Sequence, residues 1–204
     1  ETLPTNIVRH NSGVFVGVNN SIGETIFDKS DTRIFAHQKF PKLDWKSVGV
    51  VIVMSSTNNE VLEGLKKIKN KHKDIVFCLE ISGSKSVENI VPFLDIFDFL
   101  ICNQKEANAI GKSISADRSV KSIIKALNEK GIDLVIVTLD KKGAVCGLKR
   151  EGKTCFKQFS ICLGKGKLIS TIGAGDSVTA AFCASYYGFK FPIDLSMEIA
   201  MELA

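Results

Sequence analysis

The apolar positions of this chain change period repeatedly. Short continuous apolar runs give way to stretches in which apolar residues recur every third or fourth position. Residues 48–54 (Val-Gly-Val-Val-Ile-Val-Met) form an apolar run of strand length, the pattern of a strand buried on both faces of a parallel sheet, and it is expected to be central in that sheet. From Asn58 onward Val61, Leu65 and Ile68 recur with lysines between them, which predicts an amphipathic helix, and a strand follows at residues 75–79. Val87, Ile90, Val91 and Leu94 predict a second helix before a strand at residues 99–102. Val120, Ile123, Ile124 and Leu127 predict a third before a strand at residues 134–137, with Gly131 stopping that helix. Strands alternating with helices of this length imply an α/β fold with a mostly parallel sheet, covered on both faces and joined by right-handed crossovers.

Other patterns flank this alternation. Residues 12–19 and 24–27 read as two strands of a hairpin, with Asn20, Ser21 and Gly23 in the turn and residues 31–35 able to extend it. Phe40, Pro41, Asp44 and Trp45 then form an irregular link. The expected division is therefore residues 1–45 as a partial β unit with its link, and residues 46–204 as the α/β domain. Beyond Gly143, strands at 144–148 and 154–159 joined through Lys149, Arg150, Glu151 and Gly152 read as an antiparallel hairpin. A glycine-rich stretch and a helix follow, ended by Gly188 and Pro192 before the last helical run.

Composition narrows the classes. A chain of 204 residues, 45% hydrophobic and 24% charged, suits one globular domain and argues against disorder. The net charge of +5 suits a protein that handles phosphate-bearing ligands, and lysines on solvated helix faces account for it equally well. No basic run carries interleaved aromatics, so nucleic acid is not an expected partner. The six cysteines show no C-x-x-C spacing and read as buried, reduced thiols. No apolar run is long enough for a membrane span and no signal-peptide pattern is present, so no membrane partner and a cytoplasmic location are expected. Asp31, His37 and Trp45 read as structural, and His10 and His72 lack metal-site spacing. The chain begins at Glu1 and ends inside the helical run 193–204, which reads as a segment cut at both ends.

The candidate chemistry is concentrated in Ser170-Thr171-Ile172-Gly173-Ala174-Gly175-Asp176-Ser177, which runs directly into the apolar helical pattern Val178, Ala181, Phe182. Glycines at a helix start let the backbone approach a ligand, and the free amides there form an anion site assisted by the helix dipole. A glycine turn followed by a capped helix accounts for the same octet. Two further segments stand where strand patterns end. Asn103-Gln104-Lys105-Glu106 follows the 99–102 run, and Val137-Thr138-Leu139-Asp140-Lys141-Lys142-Gly143 closes the 134–137 run. Asn103 and Glu106 also have the spacing of a helix capping box, and residues 138–143 that of a turn between two strands.

In this order and spacing, the three segments resemble those of the ribokinase-like, phosphofructokinase-B-type carbohydrate kinases, over nearly the whole chain. The resemblance implies a ribokinase-like three-layer α/β/α fold with a mostly parallel central sheet, plus the remnant of a β lid. It also implies an ATP-dependent phosphotransferase acting on the alcohol group of a sugar or nucleoside. By this resemblance Asp176 is the catalytic base, and the amides of Gly173, Ala174 and Gly175 stabilise charge developing on the transferred phosphoryl group. Thr138, Gly143, Thr171 and Asn103 are implied on the nucleotide side, and Glu106, Asn103 and Glu80 around magnesium, held largely through water.

Within the family, Val18 to Glu24, Asp31, Ile34, Phe35, the 51–54 run and especially Leu79-Glu80-Ile81-Ser82-Gly83-Ser84-Lys85-Ser86 look like the pseudouridine kinase branch. That branch carries proline where this chain has Ile81. The likeness implies pseudouridine as substrate, phosphorylated on its ribose 5'-hydroxyl, with Lys85 reaching a phosphate. Ribose or another nucleoside is the alternative substrate, and a non-catalytic ATP-binding or interaction domain of the same fold the alternative role. Ser170 stands where relatives often carry an acidic residue associated with a monovalent cation, which leaves that cation open. Relatives often dimerise through the lid sheet, so a homodimer of the intact protein is an open expectation. A dinucleotide-binding oxidoreductase is disfavoured, because the third glycine of that fingerprint is missing.

Overall fold

The computed structural model describes residues 15–19, 25–30, 44–161 and 173–203. Strands β1 (Phe15–Asn19) and β2 (Thr25–Ser30) pair antiparallel, with an irregularity between Val18 and Asn19. The main sheet has six strands: β3 (Val50–Met54), β4 (Val76–Glu80), β5 (Phe99–Asn103), β6 (Leu134–Thr138), β7 (Ala144–Arg150) and β8 (Lys153–Phe159). Spatial order equals chain order. β3 to β6 are parallel, while β7 and β8 return as an antiparallel hairpin.

Helical segments join the parallel strands. Helix α1 (Asn59–Lys71) links β3 to β4, the short α2 (Val87–Ile90) lies between β4 and β5, and α3 (Gln104–Ser113) with α4 (Val120–Glu129) connects β5 to β6. The alternation of side chains along each strand splits the core in two. Leu79, Leu100, Cys102, Val135 and Val137 pack with Leu62, Leu65, Ile110, Ile123 and Leu127 from α1, α3 and α4. Cys78, Phe99, Ile101, Leu134 and Ile136 face the other way, against Val178, Phe182, Met197 and Ala200 of α5 (Ala174–Phe182) and α6 (Ile193–Glu202). These are the three layers expected from the sequence. Each buried leucine, isoleucine or phenylalanine contributes about 1.5–3 kcal/mol through its removal from water.

Several expectations need correction. Residues 48–54 do not supply a central strand: among the described strands β3 is at an edge, with Ile52 and Met54 45% and 36% exposed. An apolar run records how many faces a strand could bury, but not how many neighbours it has. The helix expected over Val87 to Leu94 is broken, because Pro92 cannot donate an α-helical hydrogen bond, and the chain tightens into a 3-10 turn over Val91–Ile96. Cys78, Cys102, Cys146 and Cys183 are buried free thiols, but Cys155 is exposed on β8, where the outer strand is solvated on most of its length. Cys162, Asp31, His37 and His10 lie outside the described residues, as does most of the 1–45 unit.

Candidate active site

The parallel strands end together, and the informative residues stand at that end. Glu80, Asn103 and Thr138 are the last residues of β4, β5 and β6, and Asn103 is the register partner of Thr138. Ligands of open parallel sheets bind in the crevice beyond such carboxyl ends.

Helix α5 brings the glycine-rich segment to this edge. Gly173 is left-handed, with φ of +83°, and no side chain caps the helix. The first helical bond runs from Ser177 N to Gly173 O at 2.9 Å. The amides of Ala174, Gly175 and Asp176 therefore precede the intrahelical ladder, where the helix dipole favours an anion. Asp176 is exposed in this first turn.

The start of α3 is built differently. Asn103 Oδ1 accepts from Glu106 N at 3.0 Å, while Glu106 Oε2 accepts from Asn103 N at 2.9 Å, completing a capping box. Glu106 Oε1 accepts a third bond, from Gly83 N in the loop after β4, at 2.8 Å. Glu106 is buried. Burial raises its pKa above the ordinary carboxylate value, and the hydrogen bonds from Asn103 and Gly83 oppose that rise. The capping-box alternative is thus present in full, and the same side chain ties the β4 loop to α3.

Glu80 joins the two helix starts. It is buried at 8% exposure on the face of the sheet that α5 covers, and its Oε1 lies 3.9 Å from where a Cβ on Gly175 would stand, against the first turn of α5. Its pKa is pushed up to about 7, first by burial and then by Asp176, with Glu106 adding to the rise. Glu80, Asp176 and Glu106 are therefore one electrostatic group, within which Glu80 is the member that reaches both others.

On the other flank, Thr138 is half-buried, its hydroxyl donating to Cys102 O at 3.5 Å. The turn after it closes through Leu139 N to Gly143 O at 2.7 Å. Gly143 has φ of +85°, and a Cβ there would stand 1.9 Å from Phe159 O, so both conformation and space require glycine. The turn reading holds, and it sits beside the strand ends. Lys85 lies in the 3-10 turn Ser84–Ser86 after β4, at the same end of the sheet. Thr171 and Ser170 lie outside the described residues.

No group of three or more His, Cys, Asp or Glu side chains among the described residues forms a closed metal cage. Magnesium prefers to keep most of its water and to take one or two carboxylates together with substrate phosphates. The donor set fits that mode: each Glu106 carboxyl oxygen already accepts one backbone amide and keeps a lone pair for water, while Glu80 carries a burial penalty that a nearby cation relieves. The cavities on the outer side of α3, one of about 310 Å3 lined by Asn108, Lys112 and Arg118, are separate from this group.

Residue patterns alone passed over two features. Ser55, 1% exposed just after β3, accepts from Ser82 N at 2.9 Å and contacts Ser86 Oγ, joining two strand-end loops. Thr179, buried in the second turn of α5, donates its hydroxyl to Gly175 O at 3.1 Å. Its position four residues after Gly175 was the available signal.

A mostly parallel sheet whose carboxyl ends meet a glycine-started helix with an aspartate in its first turn defines an α/β protein of the three-layer class. The chain belongs to the pfkB family of carbohydrate kinases, whose family model matches residues 20–203. No curated protein matches the sequence. Among solved structures it is similar to ribokinase from Giardia lamblia, with 16% identity and a TM-score of 0.70, covering 93% of this chain and 63% of that one. It is also similar to adenosine kinase from Schistosoma mansoni in complex with 2-fluoroadenosine, with 21% identity and a TM-score of 0.67, covering 78% and 50%. Adenosine kinase from Anopheles gambiae gives 17% identity and a TM-score of 0.66, again over 78% and 50%. These likenesses establish a common fold, and the chain spans about half to three-fifths of the length of these relatives. No helix among the described residues is long and apolar enough to cross a membrane.

Proposed function

We propose that the protein is an ATP-dependent small-molecule kinase that transfers the γ-phosphoryl group to a hydroxyl of a sugar or nucleoside. Pseudouridine, giving pseudouridine 5'-phosphate, is the first-choice substrate. The observation that carries this reading is the position of Asp176. It stands in the first turn of a helix whose leading amides are unbonded within the helix, beside the buried Glu80 at the end of β4, whose pKa it helps to raise. The pseudouridine choice rests on the 79–86 segment.

Asp176 accepts the proton of the acceptor hydroxyl as its oxygen attacks phosphorus, and the amides of Gly173, Ala174 and Gly175 hold the charge that spreads over the phosphoryl oxygens. Thr138 and Gly143, with Thr171, Asn103 and Lys85, bound the nucleotide side. Magnesium would be held through water by Glu80 and Glu106 with Asn103, and it supplies neutralisation of phosphate charge. The same reading takes residues 1–45 as part of a β lid, residues 46–204 as the nucleotide-binding domain, a cytoplasmic location and a homodimer of the whole protein.

The test is ATP consumption with product mass, against pseudouridine, uridine, adenosine and ribose, for the wild type and Asp176→Asn. Removing the proton-accepting carboxylate is expected to lower the rate about 100-fold or more. Binding of ATP without phosphorylation of any of the four, unchanged in the variant, favours a non-catalytic ATP-binding domain instead.

A further inference from the structure

The loop between β4 and the short helix α2 keeps its shape without packing. Ser82, Gly83 and Ser84 are exposed, and a Cβ on Gly83 would meet nothing within 4 Å. Gly83 nevertheless adopts φ of +85° and ψ of 137°, a conformation that residues with side chains rarely take. Hydrogen bonds account for it. Ser55, 1% exposed, is tied to β4 by its amide, which donates to Glu80 O at 2.9 Å. Its Oγ accepts from Ser82 N at 2.9 Å and contacts Ser86 Oγ, which lies 2.8 Å from Gly83 O and 3.2 Å from Ser82 O. Each hydroxyl has one proton and carbonyls only accept, so the Ser86 proton serves the two carbonyls while the Ser55 proton goes to Ser86 Oγ. A trans peptide points its N–H and C=O in opposite directions. The peptide joining Ser82 to Gly83 therefore has its carbonyl on Ser86 and its N–H on Glu106 Oε1, at 2.8 Å.

We propose that Ser86, with Ser55 behind it, is a positioning residue for Glu106: the two hydroxyls fix the Ser82–Gly83 peptide, and that peptide fixes the orientation in which the Glu106 carboxyl meets the water shell of magnesium. This rests on the reading of Glu106 as a magnesium-side residue. The capping box holds the Glu106 carboxyl only through Oε2. Among the described residues, Oε1 takes its bond from Gly83 N alone, so the loop decides how the carboxyl is turned. Partners that orient a metal's ligands from behind act on metal affinity, and Ser86 reaches Glu106 through one peptide.

The experiment uses Ser86→Ala, which removes the hydroxyl, and Ser86→Thr, which keeps it. Binding of ATP to the whole chain is followed by calorimetry across a magnesium titration, with no acceptor present. In Ser86→Ala the magnesium concentration that half-saturates the gain in ATP binding is expected to rise about 10-fold, while ATP affinity in chelator stays at the wild-type value. Ser86→Thr is expected to stay within about 2-fold of wild type. Adding Ser55→Ala to Ser86→Ala is expected to change the result by no more than about 2-fold, since both hydroxyls belong to one chain of bonds. A second readout needs no ligand: protection of the Gly83 amide from hydrogen exchange is expected to fall about 10-fold in Ser86→Ala. A loop with a structural role alone would lose that protection without moving the magnesium requirement. An unchanged magnesium requirement or full Gly83 protection in Ser86→Ala, an equal shift in Ser86→Thr, or an equal loss of ATP affinity in chelator each overturns the proposal. A wild-type chain whose ATP binding does not respond to magnesium overturns the reading of Glu106 instead.

Discussion

The chain begins two helices at the same edge of one sheet and finishes them in opposite ways. At α3 the Asn103 Oδ1 and both Glu106 carboxyl oxygens each take a backbone amide: Asn103 and Glu106 cap each other, and Glu106 also holds the Gly83 amide. At α5 a left-handed glycine begins the helix, no side chain caps it, and the carboxylate of its first turn is exposed. A carboxylate near a helix N-terminus is favourable in both places, because the dipole is the same. What differs is whether its oxygens are taken up by backbone amides or left exposed. Glu80, between them, keeps the two starts in electrical contact while its own burial penalises charge.

The contrast can be broken most forcefully at Glu106. Glu106→Ala leaves the part-buried amides of Asn103 and Gly83 without their acceptor and is expected to cost about 3 kcal/mol of stability, measured by chemical denaturation. Asp176→Ala, at an exposed position, is expected to stay within about 1 kcal/mol. Equal losses at the two positions would erase the distinction between a structural and an available carboxylate.

A smaller effect is expected from pH. The folded-state pKa of Glu80 is raised from 4.5 to about 7, so the folded state holds that proton more tightly than the unfolded chain does. Its stabilising contribution is full below pH 4.5 and is lost as pH rises through 7. Allowing for its coupling to Asp176, the change is roughly 2 kcal/mol, and Glu80→Gln is expected to remove that part of the slope between the two pH values. An unchanged slope in the variant contradicts the buried pairing with Asp176.

The smallest effect is at the glycine that opens α5. A Cβ at Gly173 meets nothing within 4 Å, so Gly173→Ala is expected to cost about 1 kcal/mol, through its left-handed backbone alone. A loss of several kcal/mol in the same denaturation measurement would mean that the open helix start is sterically closed after all.

Much of the layer architecture was legible because it follows from period. The strands β4, β5 and β6 and the helices α1 and α4 occupy the stretches where apolar spacing changes, whereas α3 was announced only by the capping-box spacing of Asn103 and Glu106. The position of β3 was not legible, since an edge strand and a central one can both be Val-Ile runs. Pro92 was visible in the sequence, but the strength of the periodic pattern around it concealed the break. At the site, the three motif segments were legible by spacing, whereas the approach of Glu80 to the first turn of α5 joins residues about 100 positions apart, and no local pattern encodes it.

By itself the sequence determined the period of most strands and helices, the capping box that begins α3, and which carboxylates and glycines stand at strand ends, because these depend on neighbours within a few residues. Only the tertiary structure decided that Glu106 is spent on capping and loop closure while Asp176 remains exposed, and that Glu80 lies against the first turn of the helix bearing Asp176. Those outcomes depend on strand order and on which face of the sheet each helix covers, both set by packing across the core.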